Sequence, residues 1–138
     1  MSEQNAAMVR RWFEEVWNQR RSETIDELLT SESVCFADDG PIRGPMEFRQ
    51  RQYGPFLAAF PDIRVVVEGL LAQGDDVVVR WTAEGNHTGE GLGFPATQRH
   101  VQFRGMTWIR VRDGKFVEAW QNSNIPDVLR DLTSKSIF

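Results

Sequence analysis

The stretch VQFRGMTWIRVRDGKFVEAWQN, Val101 to Asn122, decides the fold. Val101 to Arg112 is long, rich in β-branched and aromatic residues, and alternates in character, which predicts a strand. Asp113-Gly114 is a tight hairpin signal, and Lys115 to Asn122 predicts the returning strand. Parity separates Gln102, Arg104, Met106, Trp108 and Arg110 from Val101, Phe103, Thr107 and Ile109; either set can face a core.

Working outward, Asp76 to Gly85 predicts another strand through Val77-Val78-Val79-Arg80-Trp81-Thr82. Gly74-Asp75 is a turn and Ile63 to Gln73 a further strand. Gly89 to Ala96 is a glycine-rich loop without the spacing of a phosphate-binding loop and without a following helix, so a nucleotide site is rejected. Ahead of Pro61 the period is helical. Val9, Trp12, Phe13, Val16 and Trp17 mark a helix near 5–19, with Arg10, Arg11, Glu14 and Glu15 on its other face. Ser22 caps a second helix near 22–30, with Ile25, Leu28 and Leu29 inward. Ser33 to Ala37 reads as a short strand ended by a turn at Asp38-Asp39-Gly40-Pro41. Gly44-Pro45 opens a third helix near 44–59, whose inner face is Tyr53, Phe56, Leu57 and Phe60 and which Gly54-Pro55 should kink or break. Beyond Ile125 a short tail offers one helical turn through Val128-Leu129.

Three helices followed by a meander of long strands is an α+β pattern. A curved sheet wrapped around helices leaves an apolar interior suited to a small molecule. The 138 residues read as one domain, 1–138, able to bury a core without staples. A net charge of −4 with no basic cluster argues against nucleic acid. No apolar run approaches a membrane span, and no signal peptide is expected from Met1-Ser2-Glu3-Gln4-Asn5. The lone cysteine, Cys35, allows no intrachain disulfide and fits a reducing, cytoplasmic compartment. Two histidines and one cysteine, widely spaced, match no metal-ligand pattern, so neither metal nor cofactor is expected.

Several runs resemble one family. Arg80-Trp81-Thr82-Ala83-Glu84-Gly85-Asn86-His87-Thr88-Gly89 resembles its R-W-x-x-x-G-x-H-x-G signature. Phe60-Pro61-Asp62 resembles F-P-D, and Gly93-Phe94-Pro95-Ala96-Thr97 resembles G-x-P-x-T. Arg110 to Trp120 resembles R-x-x-D-G-K-I-x-E-x-W, and Trp17-Asn18 the end of the first helix. In order and spacing these resemble the SnoaL-like polyketide cyclases of the nuclear transport factor 2-like superfamily, from about Val9 to Asn124. The resemblance implies a cystatin-like, cone-shaped barrel: a curved antiparallel sheet wrapped around three N-terminal helices, dimerising through the sheet. It also implies ring closure by aldol chemistry on a polyketide ester. The family's acid, four residues after the Trp, is replaced here by Asn124, whose amide exchanges no proton near neutral pH. Ketosteroid isomerase, of the same superfamily, has its catalytic Asp after the first strand, where Asp38 and Asp39 stand.

Asp38, Asp39 and His87 are therefore the candidate catalytic residues. A carboxylate walled by aromatics has a raised pKa and acts as a base; a solvated turn is the alternative. His87 either shuttles a proton or ties a strand end to the backbone. Glu118, Trp120, Asn122 and Asn124 alternate along the last strand, on a face turned inward if the family geometry holds. Glu118 there is either a structural ion-pair partner of an arginine or a buried acid. With Trp12, Tyr53, Phe56 and Trp81 they form the expected substrate-binding set, while Trp108 or Trp81 could instead face a dimer interface. Three functions stay open. One is cofactor-independent cyclase or isomerase chemistry on a hydrophobic carbonyl compound. The others are binding such a ligand without turnover, and a dimerising or partner-binding domain.

Overall fold

The computed structural model describes residues 2–133. Helix α1, Ser2–Arg11, runs into a wide-turned stretch, Trp12–Asn18, where the Gln19 N–H reaches back five residues to the Glu14 carbonyl at 2.9 Å. Here the bonding slips from four residues to five, as at other π-bulges. The stretch buries Trp12, Phe13, Val16 and Trp17. Arg20 follows with a positive φ of 60° and locks this corner. Its guanidinium donates to the carbonyls of Trp17, of Ile63 at 3.0 Å and of Pro61 at 2.8 Å.

Helix α2, Glu23–Leu28, leads to β1, Val34–Ala37. The expected turn is shorter than four residues. Gly40, at a φ of 115°, reverses the chain at once, and Gly40–Arg43 returns as β2 against β1. The third helix is not broken by Pro55. Helix α3, Gly44–Phe48, widens through Arg49–Tyr53 and continues as α4, Gly54–Ala59. The Gly54 N–H reaches the Arg49 carbonyl, so the widened turn makes room for the ring that an ordinary turn would clash with.

The long strands are β3, Arg64–Gln73; β4, Asp76–Asn86; β5, His100–Arg112; and β6, Lys115–Ser123. Positive φ at both Asp113 and Gly114 gives the tight β5–β6 turn. Helix α5, Ile125–Thr133, extends well past the single turn expected of the tail.

The sheet order is β2-β1-β6-β5-β4-β3. It is mixed rather than antiparallel, because β1 lies parallel to β6. It is also an unclosed, curved sheet rather than a sealed barrel, since β2 and β3 remain edges. Val77, Val79, Trp81 and Ala83 of β4, with Val101, Phe103, Ile109 and Val111 of β5, are buried on its inner face against the helices. No described helix is long and apolar enough to cross a membrane.

One irregularity decides what lies inside. From the turn, Val111 pairs with Phe116, but the next pair is Arg110 with Glu118. The extra residue, Val117, is a β-bulge. A one-residue shift turns every later side chain to the other face. Ala119 and Gln121 therefore join the inner face, opposite Ile109 and Thr107. Glu118, Trp120 and Asn122 fall opposite Arg110, Trp108 and Met106 on the outer face.

Candidate functional site

A cavity of about 120 Å³ lies between the helices and the inner face of the sheet. An engineered apolar cavity of about 150 Å³ takes up benzene, so the space is of small-molecule size. Its wall is aromatic: Trp12, Phe13, Trp17, Phe48, Phe56, Trp81, Phe103 and Phe116. The rings meet edge-on or tilted, as Trp12 does with Phe48 at 5.1 Å and Trp17 with Phe56 at 6.5 Å, and so brace each other in place.

A polar strip crosses this wall. The Trp81 Nε1–H donates to Thr107 Oγ1 at 3.0 Å, and the Thr107 hydroxyl donates to Gln121 Oε1 at 3.1 Å. Gly105 makes the strip possible. A Cβ there would lie 2.5 Å from the Trp81 ring and 2.8 Å from Ser123 Cβ, so only glycine lets the indole lie flat beside β5. Gln52 also lines the cavity, as does Cys35, whose thiol is pushed up to about 11 by burial and then by the charge of Asp38. At that value Cys35 is a neutral thiol at physiological pH and a poor nucleophile.

The expected site residues divide. Trp12, Phe56 and Trp81 line the cavity. Tyr53 is buried beside it, stacked on Phe48 and edge-on to Trp17, but is not part of its wall. Glu118 borders the cavity, yet its carboxylate is drawn to the outer face, where Arg110 Nη1 donates to it at 3.1 Å. Trp120 and Asn122 are turned outward by the bulge. Trp120 packs there between Phe36 and Trp108, with the Arg110 guanidinium 5.3 Å from its ring. Asn124 is a clip. Its Oδ1 accepts from the Arg104 N–H at 2.8 Å and its own N–H donates to the Arg104 carbonyl at 3.1 Å, which leaves it off the cavity wall.

None of the three candidate catalytic residues lines the cavity. Asp38 is exposed, and its two oxygens accept from the Ser123 N–H at 2.9 Å and hydroxyl at 2.6 Å. Asp39 is exposed in the tight turn between β1 and β2. His87 is fully buried, but against Phe60 and Phe94 beneath the β4–β5 loop. Its Nδ1 accepts from the Thr97 N–H at 3.2 Å and lies 2.9 Å from the Thr97 hydroxyl. It fastens the loop through Thr97 rather than by bonding a backbone carbonyl at the strand end, and burial keeps its imidazole below the usual histidine pKa.

The sequence did not single out Gln121 or Gln52, and named Thr107 only as one of a strand-parity set. A signal for Thr107 was present: it shares parity with Val101, Phe103 and Ile109, the apolar set. Gln121 had none, because a bulge has no sequence mark here.

The comparisons agree with this architecture. A protein assigned as a SnoaL-like polyketide cyclase from Jannaschia sp. CCS1 superposes with a TM-score of 0.85 at 23% identity, over 98% of this chain and 95% of its own. IdmH of Streptomyces antibioticus, assigned as a polyketide cyclase, gives 0.78 at 27% identity, over 95% and 99%. A protein of ketosteroid isomerase-like fold from Catenulispora acidiphila gives 0.69 at 14% identity, over 89% of each chain, a likeness of fold alone. No curated relative matches the chain. The SnoaL-like polyketide cyclase family model matches residues 7–132, nearly the whole length, and the chain belongs to that family.

Proposed function

We propose that the chain takes up a hydrophobic carbonyl compound, such as a polyketide ester, for cofactor-independent cyclase- or isomerase-type chemistry. One observation supports this above the rest: an aromatic cavity crossed by a hydrogen-bonded polar strip, Trp81–Thr107–Gln121. Such a lining orients a flexible apolar substrate and polarises one of its oxygens. Asp38, the base expected from the sequence, stands off the cavity wall with both oxygens held by Ser123, so its part in turnover rests on the substitution test below.

A second reading, a binding protein without turnover, is favoured by the character of the lining. The acids and bases it does hold are engaged or neutral: Glu118 is paired with Arg110, and Cys35 keeps its proton. In either reading the partner is a small molecule, the compartment is the cytoplasm, and the outer sheet face seats a second copy of the chain.

A thermal-shift screen against aromatic polyketide esters, steroids and terpenoids tests the uptake. A ligand at a hundred times its dissociation constant adds about 2.7 kcal/mol of stability. A hit that wild type turns over and Asp38→Asn binds without turning over establishes the enzyme. A hit that neither turns over establishes the binder. No hit across the panel removes both.

A further inference from the structure

We propose that Gln121 is the specificity-determining residue of the cavity and selects a ligand by hydrogen-bond polarity, accepting a carbonyl or similar acceptor and refusing a donor. This rests on the proposed uptake of a hydrophobic small molecule. It goes further by fixing which kind of polar group the ligand presents, and to which atom.

The argument begins at Trp81. An indole nitrogen only donates, so Thr107 Oγ1, 3.0 Å away, must accept from it. The Thr107 hydroxyl has a single proton. It is buried, and its other partner among the described residues is the Gln121 amide at 3.1 Å. A buried hydroxyl proton left without an acceptor costs roughly 1–3 kcal/mol. The proton therefore goes to Gln121, and the atom that receives it must be the carbonyl oxygen Oε1. That orientation leaves the two Nε2 protons as the free end of the strip.

Polarity thus runs one way, from indole to hydroxyl to amide, and ends in donors. Among the described residues nothing accepts from Gln121 Nε2, and Gln121 lines the cavity. Flipping the amide to receive a ligand donor would strand the Thr107 proton. Gln52, the other amide on the wall, sets no polarity, since no described partner fixes its orientation. Gly105 and Trp81 act through Thr107 and are positioning residues.

Acetophenone and α-methylstyrene test this. They share a planar outline and differ in a carbonyl oxygen against a methylene. Both are titrated by NMR into wild type and Gln121→Leu, and the ratio of their dissociation constants is compared. The ratio cancels the ligands' different hydration. We expect preference for the ketone to fall about five-fold in the variant, the weight of one neutral hydrogen bond. A second readout needs no variant: the infrared carbonyl stretch of ¹³C-labelled acetophenone bound to wild type lies at the lower frequency of a hydrogen-bonded ketone.

If both probes bind, the ratio is unchanged in the variant and the bound carbonyl absorbs as a free one, polarity selection is wrong while uptake stands. If neither probe binds wild type, uptake itself fails and takes this proposal with it. Trp81→Phe supplies a further arm. It removes the one-way donor, and the ketone preference should weaken although Gln121 is intact. An undiminished preference there overturns the role given to Trp81.

Discussion

His87 has no solvent exposure, yet its Nε2 has no hydrogen-bond partner among the described residues. Its Nδ1 accepts from the Thr97 N–H, so in the neutral ring the proton sits on Nε2, facing Phe60 and Phe94. Burial disfavours the charged form and lowers the folded-state pKa beneath the unfolded value near 6.5. The sign follows from proton uptake. Above about pH 6.5 both states hold a neutral ring and the stabilisation is complete. Below it the unfolded chain takes a proton that the native state resists, and stability drains away until pH passes the folded-state pKa. Unfolding free energies measured from pH 8 to 4.5 for wild type and His87→Phe should differ by a constant above pH 7. They should then drift in the variant's favour as pH falls. Parallel curves throughout would show that His87 is not buried neutral. The sequence offered two roles for this residue. Only the neighbours, Phe60, Thr97 and Phe94, separate a shuttle from a fastener, and they come from the residue after α4 and from the loop.

Among the elements, two asparagines each bond a backbone unit at a place where a strand lacks a neighbour. Asn18, at the end of the first helix, donates from Nδ2 to the Val65 carbonyl and accepts at Oδ1 from the Val65 N–H, both at 2.8 Å. It thereby completes the open edge of β3. Asn124 also holds a backbone unit at two points, Arg104 just beyond the end of β6, but with its side-chain Oδ1 and its own backbone N–H, and its carbonyl accepts from the Val128 N–H to start α5. A primary amide fits the task of Asn18 because it carries a donor and an acceptor side by side, as a peptide group does. Asn18→Ala should cost about 1–2 kcal/mol for two partly buried hydrogen bonds, seen in urea unfolding as a lower midpoint at unchanged slope. Asn124→Asp keeps the acceptor for Arg104 and should cost less than half as much. If it costs as much as Asn18→Ala, the acceptor contact is not what Asn124 contributes. Strands and helices were legible because burial repeats with their periods. Register was not. Had β6 run on from the Asp113-Gly114 turn without the bulge at Val117, Trp120 would pair with Thr107 on the inner face, and Glu118, Trp120 and Asn122 would all point inward.

For the molecule as a whole, the same bulge completes a feature of the outer face. Leu71 pairs with Val78, Val78 with Trp108, Trp108 with Trp120, Trp120 with Phe36, and Phe36 with Pro41. One apolar row therefore crosses all six strands, with Leu71 78%, Trp108 46% and Phe36 41% exposed. An ion-paired row borders it, in which Asp76 accepts from Trp108 Nε1 and Arg110 Nε, and Glu118 from Arg110. Those bonds, that from Trp108 first, hold the Asp76 carboxyl below its usual pKa. A contiguous exposed apolar patch rimmed by polar groups is the mark of an interaction surface. A straight row is also self-complementary: turned about a two-fold axis between Trp108 and Trp120, it meets itself aromatic to aromatic, as an isologous dimer requires. The sequence offered Trp108 as a candidate for such an interface, but the row can be seen only when the pairing register is known. Sedimentation velocity on wild type should then give a dimer at micromolar concentration, and Trp108→Glu a monomer. The substitution places a carboxylate beside Asp76 in the monomer too, so its thermal stability must be read alongside. A variant that sediments as a folded monomer locates the interface. A variant that stays dimeric moves the interface off this row, and a wild type that is already monomeric leaves the row without a second copy to seat.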